Sequence, residues 1–194
     1  MEMMVVVIII TLLAAIAIPG MSRRAKSYRA KQAAEALALT YRSARLNAMG
    51  RGAATLVRYN AGTITVLEGI QGGNMPAGCE PLPSPACLTP AARWTAGNPL
   101  NQQLSTRAIS DLDAALTSTL AFINPSNGAE VTARTSLDVC FTPMGAAHSD
   151  MLTAGTLARM TTSPMISVVR TDGVGFSRSV VVTPMGTTRV ITTP

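Results

Sequence analysis

Few side chains in this chain are of a type that does chemistry, and their spacing restricts what they can do. His148 is the sole histidine, and Ser149 and Asp150 follow it directly. A serine–histidine–aspartate triad needs its members converging in space. Three neighbours on a loop point apart, so a solvated loop is expected there. Gly175-Phe176-Ser177-Arg178-Ser179 lacks the second glycine of a nucleophile elbow. No Gly-x-x-x-x-Gly-Lys phosphate loop occurs. Cys79, Cys87 and Cys140 with His148 make a zinc set on paper, but no Cys-x-x-Cys pair is present. Asp111 and Asp113 are two acids without the further oxygen donors that calcium takes. No catalytic residue, metal or cofactor is expected, and the chain is not read as an enzyme.

Two other groups are more informative: a glutamate at position 2 and an excess of arginine. The chain has 194 residues and a formal net charge of +6. Residues 1–53 hold eight basic residues and two acidic ones, and residues 54–194 hold eight of each. The excess of 8 − 2 = 6 therefore lies wholly in the N-terminal quarter. Basic character belongs to one segment, which weakens a general nucleic-acid reading. With 47% hydrophobic and only 13% charged residues, a disordered, acidic or collagen-like protein is excluded.

Glu2 leads a run, residues 3–18, in which only Thr11 is not apolar, and Pro19-Gly20 closes it. A secretory signal peptide has its basic residues before the apolar core; here residues 23–31 place them after it. As a helix, residues 1–18 span about 27 Å, a little less than the roughly 30 Å of bilayer hydrocarbon. Met3, Val5, Ile8, Leu12 and Ile16 are candidate membrane-facing side chains of this half. Beyond Gly20, Tyr28, Ala34, Leu37, Tyr41, Ala44 and Ala48 recur at three- and four-residue steps, which predicts an amphipathic helix stopping at Gly50. Pro19 inside a continuous helix predicts a kink. Glu2 suits a helix start, or it pairs with a cation inside an assembly, because buried carboxylates need partners.

The segment from Glu2 to Pro19, Glu-Met-Met-Val-Val-Val-Ile-Ile-Ile-Thr-Leu-Leu-Ala-Ala-Ile-Ala-Ile-Pro, resembles the N-terminal methylation segment of type IV pilins and type II secretion pseudopilins. The resemblance implies that Glu2 pairs with the terminal amine of a neighbouring subunit during filament assembly. It also implies a precursor whose basic leader a prepilin peptidase removes before methylation of the new terminus. Here Met1 stands directly before Glu2, so a late start or a trimmed chain is expected. Three more residues would lengthen the helix to about 31 Å. Ala33-Ala34-Glu35-Ala36-Leu37, Tyr41-Arg42-Ser43-Ala44-Arg45-Leu46-Asn47-Ala48 and Gly50-Arg51-Gly52 are similar to the helix end of the GspH/FimT group of minor pilins and pseudopilins.

The resemblance implies an α+β fold: a long N-terminal helix packed on an antiparallel β-sheet domain. Residues 1–20 form the membrane and assembly half, residues 21–52 its amphipathic continuation, and residues 53–194 a periplasmic β-rich domain. Residues 54–59 and 63–68 read as a hairpin turning at Asn60-Ala61-Gly62. Further strands are predicted over 119–124, 136–142, 165–171, 178–183 and 187–192, while 101–117 fits a short helix or a strand. Thr142-Pro143-Met144-Gly145 recurs as Thr183-Pro184-Met185-Gly186, and both suit tight turns. Residues 71–100 contain six prolines and four glycines and read as a long loop. In the oxidising periplasm that the resemblance implies, Cys79 and Cys87 of this loop can close a small ring. Cys140 alternates against Leu137, Val139 and Phe141, and its pairing with either loop cysteine stays open.

The expected partners are other pilins or pseudopilins and the inner membrane, with a prepilin peptidase acting on any precursor that carries a leader. The expected location is a single-pass inner-membrane site with the domain in the periplasm, then a filament. Two alternatives are a DNA-capturing pilus subunit and a signal-anchored periplasmic domain that never assembles. The first would use Arg170, Arg178 and Arg189 as a stripe across neighbouring strands. The domain around those arginines is neutral, and phosphate binding draws on local positive excess, so nucleic acid is not an expected partner.

Overall fold

The computed structural model describes residues 2–71, 82–87, 94–95, 97–123, 130–131, 134–150, 156–173 and 175–193. Within its elements, the side chains of residues 2, 3, 5, 8, 12, 14–20, 123, 130, 131 and 193 lie outside the description. One helix, α1 (Glu2–Arg51), precedes everything else. Its 50 residues extend about 75 Å. Alanine, leucine, methionine and arginine dominate its second half, and all four favour the helical backbone. The helix runs past Gly50, the predicted stop, and ends where Gly52 takes a φ of 68°. That left-handed conformation is the one a helix-terminating residue needs and glycine adopts cheaply.

Eleven strands follow among the described residues. The first sheet contains β1 (Thr55–Asn60), β2 (Thr63–Gly69), β3 (Asn101–Ala108), β6 (Ser136–Phe141), β7 (Ala147–Ser149) and β8 (Ala158–Arg159), in the order β3-β2-β1-β6-β7-β8. The second contains β4 (Leu116–Ile123), β5 (Glu130–Val131), β9 (Pro164–Arg170), β10 (Ser177–Val182) and β11 (Thr188–Thr193), in the order β11-β10-β9-β4-β5. Every pairing is antiparallel. The ambiguous stretch after residue 100 is strand β3 followed by a single 3-10 turn, Ile109–Asp111. The predicted hairpin forms with Asn60 opposite Thr63, leaving Ala61 and Gly62 as a two-residue loop, both at positive φ. Such loops match the twist of the strands they join.

The fold is therefore the α+β arrangement expected from the sequence, with α1 packed on both sheets at once. One core joins the three bodies. From the helix come Ala30, Ala33, Ala34, Leu37, Ala38, Tyr41, Ala44 and Ala48; Val57, Val139 and Phe141 come from the first sheet; Ile166, Val168, Val180 and Val182 come from the second. The alanines explain the close approach, since a one-carbon side chain lets a helix axis lie near two sheets without large knobs to clear. Leu37 and Tyr41, both essentially inaccessible, fill the remaining depth. The Tyr59 hydroxyl ties the sheets together by contacts of 2.8 Å to Ser118 Oγ and 3.2 Å to Ser118 O.

The far face of the first sheet has a smaller core of its own: Ala54, Leu56, Leu67, Cys87, Trp94, Cys140 and Leu157. The proline-rich segment supplies Trp94 and Cys87 to it. Cys87 is disulfide-bonded to Cys140, with a Cα–Cα separation of 5.8 Å. This corrects the expected Cys79–Cys87 ring. Strand alternation turns Cys140 away from the helix, toward the face on which Cys87 and Trp94 are buried, so its partner comes from there. Cys79 lies outside the described residues. A bridge between residues 53 positions apart is worth about 4 kcal/mol in the chain-entropy account.

Candidate functional site

The surface most unlike an ordinary globular exterior is α1 itself. In the first half, Met4, Val6, Val7, Ile9, Ile10 and Leu13 are all exposed, Met4 to 77%. Six large apolar side chains open to solvent on neighbouring turns form a patch that marks a contact with lipid or protein. The side chains of Glu2, Met3, Val5, Ile8, Leu12, Ile16 and Pro19 lie outside the described residues. The helical assignment is unbroken through Pro19. Among the described residues, no helix is long and apolar enough to cross a membrane.

The second half is held to the domain by polar clamps at four levels. At the lowest, Lys26 Nζ lies 3.1 Å from Asp172, and Arg29 lies 3.4 Å from Asp113. Arg170 joins both acids, at 2.6 Å to Asp113 and 3.0 Å to Asp172, with its side chain 6% exposed. The Ala115 N–H, and after it the Arg170 guanidinium, hold the Asp113 carboxyl below the usual carboxylate range. Hydrogen bonds to Asp172 and Asp113 raise the Arg170 guanidinium in turn and keep it charged. Further up, Arg42 donates to the Thr188 hydroxyl at 2.9 Å and to its carbonyl at 3.0 Å, and the Thr188 hydroxyl donates to Ala38 O at 3.3 Å. At the top, Arg51 Nε lies 2.8 Å from the buried carboxylate of Glu68. A cation in the last turn also complements the helix dipole.

The remaining clamp uses the repeated tetrapeptide. Thr142-Pro143-Met144-Gly145 turns β6 into β7, and Thr183-Pro184-Met185-Gly186 turns β10 into β11. The two are built alike: Gly145 N donates to Thr142 O and Gly186 N to Thr183 O, both at 2.8 Å. Each glycine has a φ near 75°, at 77° and 74°. The turns belong to different sheets, yet both meet Arg45. Its Nε donates to Gly145 O at 3.2 Å, and a Cβ at either glycine would lie 3.2 Å from an Arg45 side-chain atom. Both methionines, Met144 and Met185, stand exposed beside them.

Several sequence expectations change here. His148 is not on a solvated loop but in the middle of β7, with Ser149 buried beside it. Alternation along the strand puts Ser149 on the opposite face from His148, and Asp150, beyond the strand, accepts from the Asp138 N–H and pairs with Arg134, so the three do not form a triad. Burial first, then the Arg159 charge, pushes the His148 imidazole below its ordinary value. Asp111 accepts from the Ala108 N–H and Asp113 serves Arg170, so both carboxylates are used inside the fold. The arginine stripe is not assembled either. Arg170 is enclosed by two carboxylates, Arg178 donates to Thr192 and shares the inner side of β10 with Val180 and Val182, and Arg189 sits opposite Val181 on the outer side. Within the basic residues 23–31, Lys26 and Arg29 reach the domain.

Sequence reasoning missed Arg45 and the Asp113–Arg170–Asp172 cluster. The tetrapeptide repeat was visible, but nothing in it indicated that both copies face one arginine. Arg170 and Asp172 are two residues apart; Asp113 is 57 residues away from Arg170 and carries no local mark.

The sequence matches no family model, and no curated protein matches it. Two solved structures of the type IV minor pilin FimU of Pseudomonas aeruginosa strain PAO1 are similar in arrangement, each at 16% identity. The crystal in space group P21 gives a TM-score of 0.43, covering 90% of this chain and 92% of that one. The crystal in space group P65 gives 0.40, covering 84% of this chain and 92% of that one.

Proposed function

We propose that this chain is a structural subunit, a minor pilin or pseudopilin. It is held in the inner membrane by the first half of α1 and then drawn into a type IV pilus or type II secretion pseudopilus, at initiation or at the tip. The observation that carries this reading is the contrast along α1: an apolar half with its described side chains exposed continues directly into a half that the domain clamps at four levels. An apolar rod on a rigid handle can exchange lipid for helix–helix packing without refolding the domain. Helices in lipid associate through packing and interhelical polar contacts, and a single carboxylate on such a rod sets register through the partner it requires. The Glu2–Pro19 resemblance assigns that role to Glu2.

The test is Glu2→Ala in the full chain, expressed with its own assembly machinery. The variant is expected in the membrane fraction at the parent's level and absent from sheared filaments or the pseudopilus fraction. Normal incorporation would refute the role of Glu2. Loss from the membrane as well would refute the storage step.

A further inference from the structure

Where the apolar half of α1 ends, the surface becomes aromatic and basic. Met21 and Tyr28 are exposed, and Arg23 and Arg24 extend beside them. The connection from β9 to β10 arrives at the same level of the helix. A Cβ built on Gly175 would lie 3.3 Å from both Cα and Cβ of Ser27, so this loop touches the helix backbone. The next residue, Phe176, is 61% exposed. The loop is fixed from behind, because Gly173 N donates to Arg170 O at 3.2 Å and Arg170 is locked on Asp172.

We propose that this collar is a second membrane contact: the domain rests on an anionic lipid surface through Phe176, Tyr28, Arg23 and Arg24. The proposal depends on the reading of the apolar half as lipid-embedded. From Met21, exposed just beyond the apolar run, to Ser27 the helix rises about 9 Å. The headgroup layer on each side of the hydrocarbon is about 5–8 Å thick. An ordinary helix tilt of about 20° toward the domain, with the reach of a phenylalanine side chain, closes the difference. The charges also fit. The acids nearest this level, Asp113 and Asp172, are paired with Arg170, Arg29 and Lys26, while Arg23 and Arg24 remain exposed. Aromatic rings and basic side chains just outside a span are the residue types that lipid headgroups hold. A protein partner would have to be supplied at this height, whereas the helix itself delivers the bilayer.

The test uses the full chain in vesicles of phosphatidylcholine, with and without phosphatidylglycerol, and phosphatidylcholine brominated near the headgroup end of its acyl chains as quencher. Trp94 is the chain's one tryptophan and is buried, so it supplies a shielded background. Separate Phe176→Trp and Ile10→Trp variants report on the collar and on the rod. Quenching above the parent is expected in both. For Phe176→Trp it rises with phosphatidylglycerol, and the added substitutions Arg23→Gln and Arg24→Gln remove that rise. Quenching of Ile10→Trp without quenching of Phe176→Trp would overturn the collar and leave the membrane reading standing. Absence of quenching in both would overturn the membrane reading and the collar with it. Equal quenching of Phe176→Trp with and without phosphatidylglycerol would overturn the arginines' part.

Discussion

Residues 2–20 and 21–51 of α1 share one continuous helix, yet the described side chains of the two halves meet opposite surroundings. In the first half Val6, Ile9, Ile10 and Leu13 are exposed. In the second, Ala34, Tyr41, Ala44 and Ala48 are wholly inaccessible between two sheets. The larger apolar residues described in the first half are uncovered, and the alanine face of the second half is buried. Hydrophobicity alone therefore does not decide burial within this chain; the availability of a shaped partner does. The second half has one because alanine permits close approach and because arginines and a lysine reach across to fixed acceptors.

The strongest way to break this contrast is to place the same kind of deletion in each half. Tyr41→Ala empties the depth between the sheets and is expected to cost about 3–5 kcal/mol in denaturant unfolding of the domain. Leu13→Ala is expected to leave that unfolding unchanged, because Leu13 is exposed and belongs to neither core of the described residues. A comparable loss from Leu13→Ala would show that the first half also folds back on the domain.

A smaller loss is expected from Arg170→Ala, which leaves Asp113 and Asp172 facing each other at the lower clamp. Its pH dependence is specific. The folded Asp113 carboxyl titrates below the ordinary value of 3.8, so its contribution is fully present above that value. It is lost as pH falls through the lower folded value. The gap between parent and Arg170→Ala should therefore be full at neutral pH and close under acid, as followed by urea midpoints down to about pH 2. A gap that stays constant through the acid range would remove Asp113 from the clamp.

Smaller again is Gly145→Ala. An alanine forced to a φ of 77°, with Arg45 3.2 Å from its Cβ, is expected to cost about 1–2 kcal/mol. Gly186→Ala should cost more, since its Cβ would also lie 3.1 Å from the buried Phe141 ring. A smaller loss at Gly186 than at Gly145 would show that the Phe141 ring yields there. The smallest effect has the opposite sign. The Tyr41 hydroxyl is buried with no hydrogen-bond partner among the described residues, and burial, with Tyr59 and Asp138 nearby, pushes its phenol well above the usual range. Tyr41→Phe is expected to raise stability by about 1 kcal/mol. A loss would point to a water bound at that hydroxyl.

Much of the fold was legible because local physics writes it locally. The hairpin at Ala61-Gly62 needs positive φ, and the residues there supply it. The amphipathic period marked the buried helix face from Ala34 to Ala48, but not at Tyr28, which is exposed; the alternation of Leu137, Val139 and Phe141 against Cys140 marked the two faces of β6. What failed was of two kinds. Helix ends shift when a nearby glycine can do the same work, as Gly52 did in place of Gly50. Pairings set by distance in space leave no trace in sequence spacing, as Cys87–Cys140 and Arg170–Asp113 show.

By itself, then, the sequence determined the long helix, the change from apolar to basic residues after Gly20, the confinement of excess charge to residues 1–53, and the resemblance from which a role for Glu2 is proposed. Each depends on residue type and period along one strand of backbone. The tertiary structure alone decided that the proline-rich segment closes a second core through Cys87, that two like turns from different sheets grip one arginine, and that the β9–β10 loop meets α1 at Ser27. These are contacts between segments 50 to 150 residues apart; the helix packed on both sheets brings the turns and the β9–β10 loop within reach of it, and Cys87 meets Cys140 on the opposite face of the first sheet.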